Sequence, residues 1–196
     1  LAVLAIGGGR ASAATITVGG SCEFADAIDS LNAASNQSGC TSTGAYGAND
    51  TINLPAGTQT LSNDLPSFTT GHDITIVGAG LGNSIIDANG NLGMQGQDNA
   101  HVKYWLKDFT IENADNFAIY FDKNSEVVLE NIEVANSMSG ADVRALNITI
   151  SGCLFHDNAN PSDLAGLRAS FIAFSGSDEA TVNVENTKVY DNSGER

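Results

Sequence analysis

A nine-residue pattern occurs four times in the second half of the chain, and it constrains the fold more than any other feature. Its copies are LKDFTIENA from Leu106, LENIEVANS from Leu129, ISGCLFHDN from Ile150 and VENTKVYDN from Val184. Across its last two apolar columns each copy alternates with a period of two residues, which is typical of a strand rather than a helix. A lone strand of this kind cannot bury its apolar side, so we expect the copies to stack as turns of a β-solenoid.

Aligning the copies predicts which side chains point inward. Three inward columns result: Leu106, Leu129, Ile150 and Val184; Phe109, Ile132, Cys153 and Thr187; and Ile111, Val134, Phe155 and Val189. A further column, made only of Asn and Asp, lies at Asn113, Asn136, Asp157 and Asp191. Asn and Asp tolerate the left-handed backbone region, so this column predicts the corner where each turn changes direction.

The N-terminal residues 1–13, LAVLAIGGGRASA, have the features of the rear of a secretory signal peptide. Leu1 to Ile6 is apolar, and Ala11 and Ala13 are small residues at the positions that a signal peptidase reads. A buried N-terminal strand is the alternative interpretation. We expect residues 14–196 to form one β-solenoid domain, with an N-terminal cap over residues 14–49 and a C-terminal end truncated before any capping element.

An amphipathic helix is predicted after a short strand at the start of the domain. Phe24, Ile28 and Leu31 recur at helical spacing, and Ser21 offers a side-chain oxygen to the start of the helix. We expect this helix to cover the open end of the solenoid, where an unpaired strand edge would otherwise invite association.

Two of the three cysteines bracket that helix. In an exported chain, Cys22 and Cys40 predict a disulfide, which would contribute about 3 kcal/mol by loop closure. Cys153 instead lies in an inward column, so we expect a buried free thiol that packs as a small hydrophobe.

These N-terminal motifs carry a family resemblance. SCEFADAIDSLNAA from Ser21, Gly39-Cys40 and DTINLPAGTQTL from Asp50 resemble the bacterial secreted family with a CSLREA-type N-terminal segment. The later repeats resemble right-handed parallel β-helix turns of the pectin-lyase type. The resemblance implies an all-β, right-handed parallel β-helix with a short N-terminal capping helix, but it implies no reaction. CEFADAI departs from the family's CSLREAI, and Gln59 replaces an aromatic residue.

Composition excludes several partner classes. Lys and Arg total 8 against 23 for Asp and Glu, a formal charge of −15 that disfavours nucleic acid, anionic membranes and acidic polysaccharides without a bridging cation. No apolar stretch is long enough for a transmembrane helix. We expect no cofactor, although the Asp and Asn turns are compatible with bound Ca²⁺. A carboxylate-lined ladder of metal sites is the alternative interpretation of the Asn and Asp column. Carbohydrate or another surface protein is the expected partner, besides the remainder of a longer chain.

Two outward columns contain the residues that could perform chemistry. Glu133 lies in one column, and Glu112 and His156 lie two turns apart in its neighbour. His156 and Asp157 leave the same strand end beside Glu133, and such a cluster could perform acid–base catalysis on a sugar. A solvated acidic face explains the same residues, so we assign no catalytic, cofactor-binding or metal-binding residue.

The composition of two other stretches indicates their local structure. NGNLGMQGQDNAH, which ends at His101, reads as a Gly/Asn loop. The insertion Asn160–Ala180 contains FIAF, which predicts a strand added to the stack, and a variable binding loop is the alternative.

Two functions follow as hypotheses. The favoured one is a secreted or cell-surface structural, adhesin-like segment without catalytic activity of its own, since stacked turns offer stiffness and an extended lateral face. The alternative is a carbohydrate-active enzyme, either a polysaccharide lyase or a glycoside hydrolase with the pectin-lyase-like fold.

Overall fold

The computed structural model describes residues 12–99, 101–161, 165–171 and 179–194, so residues 1–11 of the predicted signal segment lie outside it. The elements in chain order are β1 Thr15–Thr17, α1 Phe24–Ala33, β2 Ser42–Thr43, β3 Asp50–Asn53, β4 Gly57–Thr60, β5 Ile74–Val77, β6 Ser84–Asp87, β7 Met94–Gly96, β8 Lys103–Glu112, β9 Phe117–Ala135, β10 Ser139–Ser151, β11 Leu154–His156, β12 Ala159–Asn160, β13 Leu167–Phe171, β14 Thr181–Glu185, β15 Lys188–Tyr190 and β16 Ser193–Gly194.

Apart from β2, which pairs antiparallel with β1, the strands stack in parallel and form three faces of a β-solenoid. The first face contains β1, β3, β5 and β14, together with parts of β8, β9 and β10. The second face contains β4, β6, β11 and β15 with the ends of β8 and β9. The third face contains β7, β13 and the beginnings of β9 and β10. Because these strands continue around corners, β8 and β10 each serve two faces and β9 serves all three.

The interior is built from the predicted apolar columns. Leu106 pairs with Leu129, which pairs with Ile150, and Ile111 pairs with Val134 in the same ladders. These side chains are fully buried, and a contiguous apolar core runs through the stack. Part of the core is aromatic. The ring of Tyr104, from the first face, lies 5.8 Å from that of Phe68 and 4.4 Å from that of Phe121, so tilted rings fill the interior between the first and third faces.

The predicted corner column is confirmed. Asn113, Asn136, Asp157 and Asp191 all have left-handed backbone, with φ between 50° and 60°. A second left-handed column, which the sequence analysis missed, lies between the first and second faces at Asp108, Asn131, Gly152 and Asn186. Gly152 suits this column because it adopts positive φ without strain and leaves room for the side-chain oxygen of Asn131, from which a Cβ would lie 2.5 Å away.

Side chains that follow the first corner column form hydrogen bonds with backbone groups of neighbouring turns. The backbone N–H of Ser137 donates to Asn158 Oδ1 at 3.0 Å, and that of Asn158 donates to Asn192 Oδ1 at 3.1 Å. Asn158 also donates from Nδ2 to the Val134 carbonyl at 3.2 Å. Because Asn158 is fully buried, these bonds compensate for the loss of water at the corner.

Helix α1 forms where the apolar stripe predicted it, but it begins differently. Phe24, Ile28 and Leu31 are buried. The prediction of Ser21 as the N-cap is wrong: Glu23 is the N-cap, and it forms a reciprocal capping box with Asp26. The sequence contained the correct signal, because Glu23 is followed three residues later by the acidic Asp26. In a capping box, these two side chains accept hydrogen bonds from two backbone N–H groups at the start of the helix.

The far end of α1 contacts the third face. Asn32 Nδ2 donates to the Ser67 carbonyl at 2.9 Å, and the backbone N–H of Thr69 donates to Asn32 Oδ1 at 2.7 Å. One side-chain amide therefore bonds the strand-like backbone around Phe68 in the way a neighbouring strand would. The disulfide between Cys22 and Cys40 is present beside this helix.

Cys153 is buried and free, and burial raises the pKa of its thiol to about 11. The thiol therefore stays protonated at neutral pH and packs as a small apolar group.

Of the two stretches interpreted from composition, the Gly/Asn loop differs from expectation, whereas the insertion contains a strand that joins the stack. The predicted Gly/Asn loop contains β7, which pairs with the beginning of β9. Gly93 and Gly96 suit a strand here because a Cβ on either would lie within 2.4 Å of an atom of the next turn. In the insertion, β13 pairs with β10, but it ends at Phe171, and the rest of FIAF lies outside the described residues.

Candidate functional site

The second face brings together three of the four candidate residues. Its ladders pair Thr110 with Glu133, Glu133 with Leu154, and His156 with Ala135 and Tyr190. Both outward columns of the sequence analysis are therefore in the predicted register. Asp157 follows His156 at the corner, where its left-handed backbone turns the carboxylate back toward the ring.

His156 bonds two carboxylates at once. Its Nδ1 lies 2.7 Å from Asp157 Oδ2, and its Nε2 lies 3.1 Å from Glu133 Oε1. Burial lowers the pKa of His156, but the hydrogen bonds and charges of Asp157 and Glu133 outweigh this effect and raise the pKa above its ordinary value. The imidazolium form donates from both nitrogens, so these contacts are charge-assisted hydrogen bonds.

The cluster continues across neighbouring turns. On the turn before that of Glu133, Thr110 Oγ1 donates to Glu133 Oε2 at 2.7 Å. The same Oγ1 accepts a hydrogen bond from the backbone N–H of Gly82 at 3.0 Å. On the turn after, the ring of Tyr190 stacks on that of His156, with centroids 4.9 Å apart and planes 8° apart. The chain of contacts therefore connects five successive turns, from Gly82 to Tyr190.

Glu112 is not bonded to this cluster, although it lies in the same column as His156. Burial raises its pKa, and the negative charges of Asp87 and Glu133 raise it further. A carboxyl group with a raised pKa beside ionised carboxylates is the type of group that serves as a general acid. Glu112 is therefore the residue of this face that most resembles a catalytic acid.

Within the described ranges, no group of three or more His, Cys, Asp or Glu side chains has an arrangement that could hold a metal ion. The same part of the chain contains no helix with the length and apolar character needed to span a membrane.

An ionic network that the sequence did not predict lies on the third face. Asp142 has no exposed side-chain surface, and it accepts hydrogen bonds from Nε and Nη2 of both Arg144 and Arg168. Two guanidinium groups thus cover one carboxylate between adjacent turns. The strand register that pairs Asp142 with Arg168 across the insertion produces this contact, so no local motif could have revealed it.

A second missed feature is Trp105 on the first face. It lies between Tyr104 and Leu106, which are fully buried, and its own side chain is 37% exposed. The period-2 alternation of β8 was the available signal, since it directs the indole outward while its neighbours point inward.

Comparison with known proteins identifies the class. The sequence model of the family described as right handed beta helix region matches residues 92–195, which is more than half of the chain. Together with the parallel stacked strands, this match shows that the chain belongs to the right-handed β-helix family. No curated protein and no solved structure matches the chain.

Proposed function

We propose that the protein is a secreted or cell-surface β-helical structural segment, adhesin-like in role and without catalytic activity of its own. The observation that supports this most strongly is the closed hydrogen bonding of the second-face cluster. Both nitrogens of His156 are engaged by carboxylates, and the second oxygen of Glu133 accepts from Thr110. These bonds join side chains of successive turns and hold the turns in register, and the resulting stiffness suits a structural segment.

Export and family membership are parts of the same proposal. The disulfide of Cys22 and Cys40 supports a secreted or cell-surface location, because such bonds persist in oxidising compartments. We propose that residues 15–90 form the CSLREA-type segment, which precedes the matched β-helix residues. Cleavage after Ala13 would follow from the predicted signal peptide. Mass spectrometry of the protein recovered from its native host would test this, since a mature chain that retains residues 1–13 would contradict it.

A capping role for α1 is proposed from its contacts with the open end. The amide of Asn32 bonds the backbone of Ser67 and Thr69, which would otherwise present a free strand edge. Asn32→Ala should increase self-association measured by analytical ultracentrifugation. Asp29→Ala, on the exposed side of the same helix, is the matched control and should remain like the wild type. Equal sedimentation of both variants would contradict the capping role.

The alternative is a carbohydrate-active enzyme, and the raised pKa of Glu112 is the observation that favours it. Both hypotheses are tested by incubating the chain with a panel of uronate and neutral polysaccharides, with and without Ca²⁺. We expect no release of reducing or unsaturated ends. Release that Glu112→Gln or His156→Ala abolishes, while far-UV circular dichroism stays unchanged, would replace the structural proposal with the enzyme.

A further inference from the structure

The only tryptophan of the chain is held in a fixed position on the outer surface of the first face. Trp105 Nε1 donates to Glu130 Oε2 at 3.2 Å, which connects the indole to the next turn. The ammonium groups of Lys103 and Lys107 lie 5.6 and 5.5 Å from the ring centroid, within the range of cation–π attraction. A ring that is already ordered loses little conformational entropy when a ligand binds to it.

The cation beside the ring is itself restrained. Lys103 Nζ forms an ion pair with Glu126 Oε1 at 2.9 Å, and the backbone N–H of Lys103 donates to Asp73 Oδ1 at 2.9 Å. The strands on both sides of Trp105 therefore contribute to its surroundings. This arrangement is a preorganised aromatic surface with hydrogen-bonding groups at its edge.

A groove of about 240 Å³ adjoins the indole. Besides Trp105, its lining residues include Asn49, Asp73, Thr75 and Lys103. Residues that carry an amide, a carboxylate, a hydroxyl and an ammonium group thus border the groove beside one aromatic ring. Binding sites commonly combine an aromatic surface with a few placed polar groups, and this small volume suits one ring of a ligand.

The chemistry of the groove selects the ligand class. A sugar ring has an apolar face that can stack on indole and a rim of hydroxyl groups that can bond polar side chains. The formal charge of −15 opposes polyanions, including nucleic acids and acidic polysaccharides. We propose that Trp105 and this groove form a binding subsite for a neutral saccharide chain. This deepens the proposed function, on which it rests, by naming the partner of the lateral face.

A row of hydroxyl groups extends the subsite along the solenoid. Thr75 pairs with Trp105, Thr51 pairs with Thr75, and Thr15 pairs with Thr51. All three threonines are partly exposed on the same outward column. Successive hydroxyls are therefore about 4.8 Å apart, which provides repeated hydrogen-bonding positions for further sugar units beyond the stacked ring.

The fluorescence of Trp105 reports on this subsite directly, because no other tryptophan contributes to the emission. The full chain would be titrated with soluble oligosaccharides of β-glucan, mannan and xylan, and with oligogalacturonate as the acidic counterpart. We expect a saturable change in emission with at least one neutral oligosaccharide and weaker binding of oligogalacturonate. Tighter binding of oligogalacturonate would contradict the assigned ligand class.

Variants separate this subsite from the other faces. In isothermal titration calorimetry, Trp105→Ala should weaken binding about tenfold or more, as expected for an aromatic anchor, whereas Trp105→Phe should weaken it less. Met138→Ala removes an exposed apolar side chain away from the first face and should bind like the wild type. Trp105 emission that does not change with any of the oligosaccharides would overturn the proposed subsite. Unchanged affinity in a folded Trp105→Ala variant would also overturn it. Product release, which tests the proposed function, is a separate readout.

Discussion

Val134 and Val189 allow a matched test of how the stack buries its interior. They pair with Phe155 from opposite sides, in the same inward column. Val134 has no exposed surface, whereas Val189 is 51% exposed among the described residues. The two positions therefore share residue type and column but differ in how much of the side chain is shielded from water.

We expect Val134→Ala to lower the free energy of unfolding by about 2–3 kcal/mol. Removing two buried methyl groups costs about 1.6 kcal/mol in transfer free energy, and the closed cavity that remains adds to this loss. Val189→Ala should cost less than about 1 kcal/mol, because half of its surface already contacts water and no closed cavity forms. Urea unfolding followed by far-UV circular dichroism measures both values. Equal losses, or a greater loss at Val189, would refute the burial argument.

Three further results are expected. Replacing both Cys22 and Cys40 by Ser should lower the free energy of unfolding by about 3 kcal/mol, and an unchanged urea midpoint would contradict this. Gly78→Ala should cost about 1–3 kcal/mol because its Cβ would lie 2.1 Å from a backbone carbonyl oxygen, whereas Gly71→Ala, with open space around it, should not. Since the folded-state pKa of His156 is raised, its stabilisation should be complete below its unfolded pKa of about 6.5 and lost as pH rises through the folded value. His156→Gln should therefore cost more stability at pH 5 than at pH 8, and equal costs at both would refute the assignment.

Local patterns predicted the parts of the fold that repeat locally. The alignment of four copies placed Leu106, Ile111 and their equivalents in the correct inward columns, because one face of each strand must be apolar. It also placed Glu133, His156 and Asp157 together, because strands in register bring equivalent positions within about 4.8 Å of one another.

The third face was missed because its sequence carries no comparable repeat. β9 runs from Phe117 to Ala135 around a corner, so its early part does not resemble a separate strand. The Asp142–Arg168 contact spans an insertion, and only the strand register defines it. Trp105 was recognisable as outward-facing from its alternation with Tyr104, but the groove beside it is formed by Asn49 and Asp73 from earlier turns.

The proposed structural role and the saccharide subsite both depend on the stacking of successive turns in one register, and engineered cysteines measure that register directly. Val128 and Thr149 are paired residues on adjacent turns, so Val128→Cys with Thr149→Cys should form a disulfide. Paired Cα atoms about 4.8 Å apart fall within the range that a disulfide spans. Thr75 and Val128 lie on either side of Trp105 in the same column, so Thr75→Cys with Val128→Cys should stay reduced at a separation of about 9.6 Å. Oxidation followed by peptide mapping should show the first bridge and not the second; the reverse result would contradict the stacked β-helix.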